Sequence, residues 1–264
     1  MMEFDLHSHS TYSDGSLLKM MASRADKLGL EKLGIADHCN VSERDQIRVQ
    51  NMELGFNLDQ TYRRRKRALK SVNEDFNVQL LDAVEMDYHP QDEKEITSFL
   101  EEAKFQYSIG SVHRIEGLNI QVEPYFKSFS KSKRESIVEK YFETQRKLVE
   151  SEIFDIVSHI DLVERNKYLR NLAAREDYIK LIEAIKGSRT IPEINAGRIN
   201  TGLNEFHPTP QFLQILKQEN VSVTLGTDSH SSKELEERLP KIRSKIEEEN
   251  LQVKAPEIKE FKPR

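Results

Sequence analysis

"FDLHSHSTYSDGS", residues 4–16, sets two histidines and two aspartates where an apolar lead-in gives way to a turn-forming loop. Phe4 and Leu6 read as a strand, and the Ser–Asp–Gly run reads as the loop that follows it. Side chains two apart on a strand share a face, so His7 and His9 can reach one ion. The same layout recurs along the chain. Apolar, β-prone runs at 3–6, 32–37, 78–88, 106–113, 153–160, 189–195 and 221–228 read as seven strands. Six of them end in residues able to bind a metal. The first ends in His7 and His9, the second in Asp37 and His38, the third in Glu85 and Asp87. The fourth ends in His113, the fifth in His159 and Asp161, and the seventh in Asp228 and His230.

Helical spacing separates most of these runs. Residues 16–30, 133–151, 176–188 and 209–220 carry apolar positions at intervals of three and four. The stretch 231–250 reads as a charged surface helix broken near Pro240, and the last dozen residues read as a tail. Strands alternating with helices predict a parallel α/β fold. An open doubly wound sheet and a barrel both fit that alternation. Polar residues concentrated at strand ends favour a barrel, whose sites form at the C-terminal ends of its strands. Six of the eight histidines lie at such ends; His89 and His207 do not. One such histidine would be unremarked, but several imidazoles and carboxylates buried together are costly unless a cation compensates them.

The 264 residues are 37% hydrophobic and 32% charged, which predicts a soluble protein with a substantial core. No run of about 18 apolar residues offers a membrane span. The start of the chain does not read as a secretory signal. The single cysteine, Cys39, cannot form an internal disulfide, which fits a reducing cytoplasm. A net charge of -5 argues against a protein that grips nucleic acid through its charge. The basic block "RRRKR" at 63–67 reads as the solvated face of a helix. The donors are imidazoles and carboxylates without a thiolate cluster, which suits zinc, manganese or iron. So many donors exceed what one ion needs and predict two or three divalent ions.

The segments "HSHSTYSDG", "IADH", "VEMDY", "GSVH", "SHID" and "GTDSH" resemble, in that order, the motifs of the polymerase-and-histidinol-phosphatase (PHP) superfamily. Within it, "VEMDY", "GSVH" and "SHIDL" are most similar to the histidinol-phosphate phosphatases. The resemblance implies a single-domain distorted (β/α)7 TIM-like barrel, with a core over about 1–232 and a C-terminal helix and tail over 233–264. It implies one ion held by His7, His9, Glu85 and Asp228, a second sharing Glu85 with His113 and His159, and a third held by Asp14, His38 and His230. The implied activity is hydrolysis of histidinol phosphate, in histidine biosynthesis, by metal-activated water. The implied partner is a small phosphate monoester, not a membrane or a nucleic acid.

A phosphatase also needs cations for its phosphate. Arginine's planar fork suits this. Arg165 and Arg198 are the first candidates and Arg114 the third, each also readable as a surface arginine. Asp37, Asp87 and Asp161 adjoin candidate ligands and could orient imidazoles; Asp87 and Glu164 could form an acidic lip for a cationic alcohol. Two other readings remain open. One is a PHP-type phosphoesterase acting on another small ester or on nucleic acid. The other is a non-catalytic metal-binding module.

Overall fold

The computed structural model describes residues 3–44, 57–199 and 205–262. Its strands are β1 (Phe4–Ser8), β2 (Lys32–Ile35), β3 (His38–Cys39), β4 (Gln79–Asp87), β5 (Tyr107–Ser111), β6 (Arg114–Ile115), β7 (Leu118–Asn119), β8 (Ile156–Val157), β9 (Ile191–Asn195) and β10 (Thr224–Gly226). The described α-helices are α1 (Leu18–Lys27), α2 (Leu58–Asn73), α3 (Glu93–Ala103), α4 (Lys131–Glu150), α5 (Arg175–Lys186), α6 (Pro210–Gln218) and α7 (Ser232–Glu248).

Seven strands run in the order β1-β2-β4-β5-β8-β9-β10, each parallel to its neighbour, and β3 prolongs the β2 path against β4. The first and last strands meet just past their ends. Asp228 N donates to His7 O at 2.8 Å and His9 N to Ser229 O at 2.9 Å. The sheet is therefore a nearly closed seven-stranded barrel wrapped by helices. A cluster of Leu6, Ala36, Leu81, Ala83, Tyr107, Ile109 and Ile156 fills its lower part. Tyr107 needs Gly34 opposite. A Cβ there would lie 1.8 Å from the Tyr107 hydroxyl, which donates to Leu6 O at 2.6 Å.

Three features depart from the sequence reading. The basic block is not a uniformly solvated face, because Arg65 and Lys66 are buried. Tyr62, Arg65, Lys66, Leu69 and Val72 form the inward stripe of α2, at the spacing a helix imposes. Arg65 reaches Asp37 at 2.9 Å and Asp82 at 2.8 Å, and Lys66 reaches Asp82 at 2.6 Å. Pro240 does not break the last helix. It lies inside α7, whose buried Leu235, Leu239, Ile242 and Ile246 hold both halves against the barrel. Packing of an apolar face outweighs the one missing amide. The closing segment is not a loose tail either. Val223 N donates to Gln252 O, Lys254 N to Val223 O, and Lys259 N to Gln106 O.

Candidate metal centre

All nine sequence-predicted ligands converge at the mouth of the barrel. Glu85 continues the inward column of β4 above Leu81 and Ala83, since alternate residues share a face. Five imidazoles surround its carboxylate. Oε2 lies 2.7 Å from His38 Nδ1, 3.4 Å from His7 Nε2 and 3.6 Å from His9 Nε2. Oε1 lies 2.9 Å from His159 Nε2 and 3.6 Å from His113 Nε2. The β1–β2 register shifts between Asp5 and Ser8, where His7 sits.

Asp228 and His230 arrive from the β10–α7 loop. Asp228 Oδ1 is 3.1 Å from His9 Nε2 and 3.8 Å from His7 Nε2. On the outer side, His230 Nε2 and His38 Nε2 lie 3.4 Å and 3.8 Å from the two oxygens of Asp14. Asp14 is exposed and His230 half-buried, so this side is the more open one. Three groups bring potential ligand atoms within 4.8 Å of one another: His9–Asp14–His38–His230, His7–His9–Glu85 and His38–Glu85–His113.

Electrostatics show why this cluster suits cations. Burial alone would raise the Glu85 carboxyl, but His38 and His7 beside it hold it well below the carboxylate range. Burial also opposes charge on Asp228, and again His7 and His9 outweigh it. Burial, with His230 and His38 close by, pushes His9 down to about 4, which leaves its lone pair free near neutral pH. Burial would lower His7 as well, but Glu193, Glu85 and Asp228 hold it well above its ordinary value. The carboxylates here stay ionised by leaning on imidazoles. His7 Nε2, buried, makes no hydrogen bond among the described residues, although Glu85 Oε2 lies 3.4 Å and Asp228 Oδ1 3.8 Å from it. Ionised carboxylates and closely set imidazole nitrogens, which give up their protons when a metal binds, fit divalent zinc, manganese or iron.

Neighbouring residues fix this arrangement. Asp87 Oδ1 accepts from His113 N at 3.2 Å and lies 3.4 Å from His113 Nδ1. Asp37 accepts from Ser10 N, Ser10 Oγ and Ser13 Oγ at 2.6–2.9 Å, pinning the loop that carries Asp14. Asp161 accepts from His207 Nδ1 at 2.6 Å rather than from a candidate ligand.

The cavity over the cluster measures about 360 Å³. Arg165 lines it, with one guanidinium N–H donating to Gln121 Oε1 at 3.0 Å. Arg198 and Arg114 do not line it. Arg198 is buried, donating to Glu164 O and pairing with Glu205, and Arg114 pairs with Asp87. Glu164 is likewise buried, with Asn171 N bonded to it, and Asp87 is engaged as described, so neither forms an exposed lip. The sequence reading missed Asn119 and Gln121, from β7 and the turn after it, and Arg238, which lines the same cavity from α7. Arg238 donates to the carbonyl of Asp228 and pairs with Glu234. Its signal was available: it lies four residues after Glu234, in the helix that follows two candidate ligands. A larger groove of about 660 Å³, beside Phe105 and Ile153 at the other end of the barrel, contains none of the nine residues.

A nearly closed parallel barrel with imidazoles and carboxylates gathered at its mouth defines a class of metal-site barrels. Within that class the chain belongs to the PHP domain family, which matches residues 5–197. It is 26% identical over 243 residues, 87% of each chain, to a Clostridium acetobutylicum protein named "Probable histidinol-phosphatase". It is 24% identical over 238 residues to the histidinol-phosphatase of Lactococcus lactis, covering 88% of this chain and 85% of that one. A solved Lactococcus lactis histidinol phosphate phosphatase, complexed with zinc, L-histidinol and phosphate, superposes with a TM-score of 0.71 at 22% identity and covers 97% of both chains.

Proposed function

We propose that this chain is a metal-dependent phosphomonoesterase whose substrate is histidinol phosphate. The observation that carries the reading is Glu85, buried at the barrel mouth with five imidazoles within 3.6 Å of its oxygens and a cavity above. The proposed ligands are His7, His9, Asp14, His38, Glu85, His113, His159, Asp228 and His230, for two or three divalent ions. Such ions, when bound, supply charge to phosphoryl oxygens and activate water for in-line attack.

The chain's own residues do the rest. Glu85 bridges the two inner ligand groups. Arg165 faces the cavity and grips the phosphate's outer oxygens. Asn119 and Gln121 line the space available to the alcohol. No side chain is assigned as a covalent nucleophile: Ser10 is engaged with Asp37, and Cys39 is packed in the core. The named relatives support histidinol phosphate as the ester. No described helix is long and apolar enough to cross a membrane, and the proposed place of work is the cytoplasm.

The test is phosphate release from histidinol phosphate, a nucleoside monophosphate, an aryl phosphate and a short DNA strand, with zinc and manganese supplied separately. Fastest turnover of histidinol phosphate is expected. Preference for the nucleotide would move the substrate within the same class, and degradation of DNA alone would overturn the phosphatase reading.

A further inference from the structure

Six strands of the barrel end in a proposed ligand. The remaining one, β9, ends in Glu193–Ile194–Asn195 and supplies none. Yet Glu193 is 1% exposed, deep within the barrel. A buried carboxylate needs partners, and its partners are telling. Its Oε1 lies 2.8 Å from His7 Nδ1. Its Oε2 accepts from Asn195 Nδ2 at 2.8 Å and from the backbone N of His159 at 3.3 Å. One carboxylate thus touches two proposed ligand residues from opposite parts of the chain.

Both contacts matter to how those residues present themselves. An imidazole that gives one nitrogen to a metal donates its other N–H elsewhere, and the acceptor fixes the tautomer and the ring plane. Glu193 takes Nδ1–H of His7, which leaves Nε2 facing Glu85 Oε2 at 3.4 Å and Asp228 Oδ1 at 3.8 Å. His159 has a backbone φ of 23°, a conformation rare for a side-chain-bearing residue. Glu193 accepts from its amide, and its carbonyl accepts from the Tyr141 hydroxyl at 3.2 Å. The neighbouring strand is kept bare for this carboxylate. A Cβ at Gly226 would lie 1.7 Å from Glu193 Oε1 and 2.6 Å from His7 Cβ.

We propose that Glu193 is a positioning residue that locks His7 and His159 together in the geometry that holds metal, without itself touching the ions. The inference rests on the reading of His7 and His159 as ligands. It adds that β9, which carries no ligand, still tunes the site.

The experiment compares the zinc-loaded wild-type protein with Glu193→Ala and Glu193→Gln by chelator competition. The tightest zinc equivalent should weaken about 10–100-fold in Glu193→Ala, the range for losing an outer partner of a ligand. Added formate should restore much of that affinity by refilling the carboxylate position, which a merely structural defect would not allow. Glu193→Gln presents one oxygen where two are used, so it should weaken zinc less than alanine does. It also keeps the side-chain volume should the alanine variant not fold. Nitrogen NMR of the folded, zinc-loaded protein should show a protonated, hydrogen-bonded His7 Nδ1, with that signal shifted in Glu193→Gln. Wild-type zinc affinity in both variants overturns the proposal. So does a loss in Glu193→Ala that formate leaves unchanged. Failure of the wild-type chain itself to hold zinc would instead strike the metal-site reading.

Discussion

At the scale of single residues, Glu85 separates this cluster from an ordinary group of buried histidines. Its carboxylate is the common neighbour of five rings, so removing its charge disturbs every proposed inner ligand at once. Glu85→Gln should lower turnover by more than about a hundredfold and release bound metal; phosphate-release assays beside elemental analysis check both. Arg165→Ala should act on substrate instead. Loss of one charge-assisted contact should raise KM about 10–100-fold, with metal content unchanged. Eight of the nine proposed ligand positions were legible in the sequence because each lies at or just past the end of a short apolar run, where a barrel exposes side chains to a shared mouth; Asp14, in the loop beyond β1, was reached only through the family resemblance. The arginines were less legible. Arg198 occupies a loop of the right kind, but its guanidinium is taken up by Glu164 and Glu205, a partnership that no local pattern announces. Glu193 was passed over because its strand lacks a histidine, although its carboxylate occupies the same kind of position as Glu85.

At the scale of elements, α2 shows how a charged run can be structural. Five basic residues in succession look solvated, yet helical periodicity turns Arg65 and Lys66 inward with Tyr62, Leu69 and Val72. Arg65 then bonds Asp37, and Asp37 in turn holds the Ser10–Ser13 loop that presents Asp14. Arg65→Ala leaves Asp37 buried beside an empty position and should cost about 3–5 kcal/mol, the price of breaking one side of a buried ion pair. Arg64→Ala, on the exposed face, should stay within about 0.5 kcal/mol. Denaturant melts of the two variants distinguish a structural arginine from a solvated one, and equal effects would return the whole block to the surface. The seven strands were readable from their apolar runs. The β6–β7 hairpin was not, because its strands are two residues each, and Asn119 and Gln121 reached the cavity unannounced.

At the scale of the whole molecule, buried carboxylates tie stability to pH. Burial would raise Asp37 and Asp161, but Arg65 beside the first and His207 beside the second hold both below the ordinary 3.8. A carboxyl depressed in the folded state binds protons more readily once unfolded. Its contribution is therefore present above the unfolded value and is lost as pH falls towards the folded one. Thermal melts of metal-stripped protein should show Tm dropping as pH is lowered from about 5 to 3, and Asp161→Asn should flatten part of that slope. The fold that produces this dependence also joins distant segments into one centre, since β1 and β10 meet only across the barrel seam. Metal content tests the shared centre most directly. Elemental analysis of the purified chain, reconstituted with zinc or manganese and freed of loosely held ions, should give at least two equivalents per chain. One equivalent or less, after reconstitution with either metal, would contradict it.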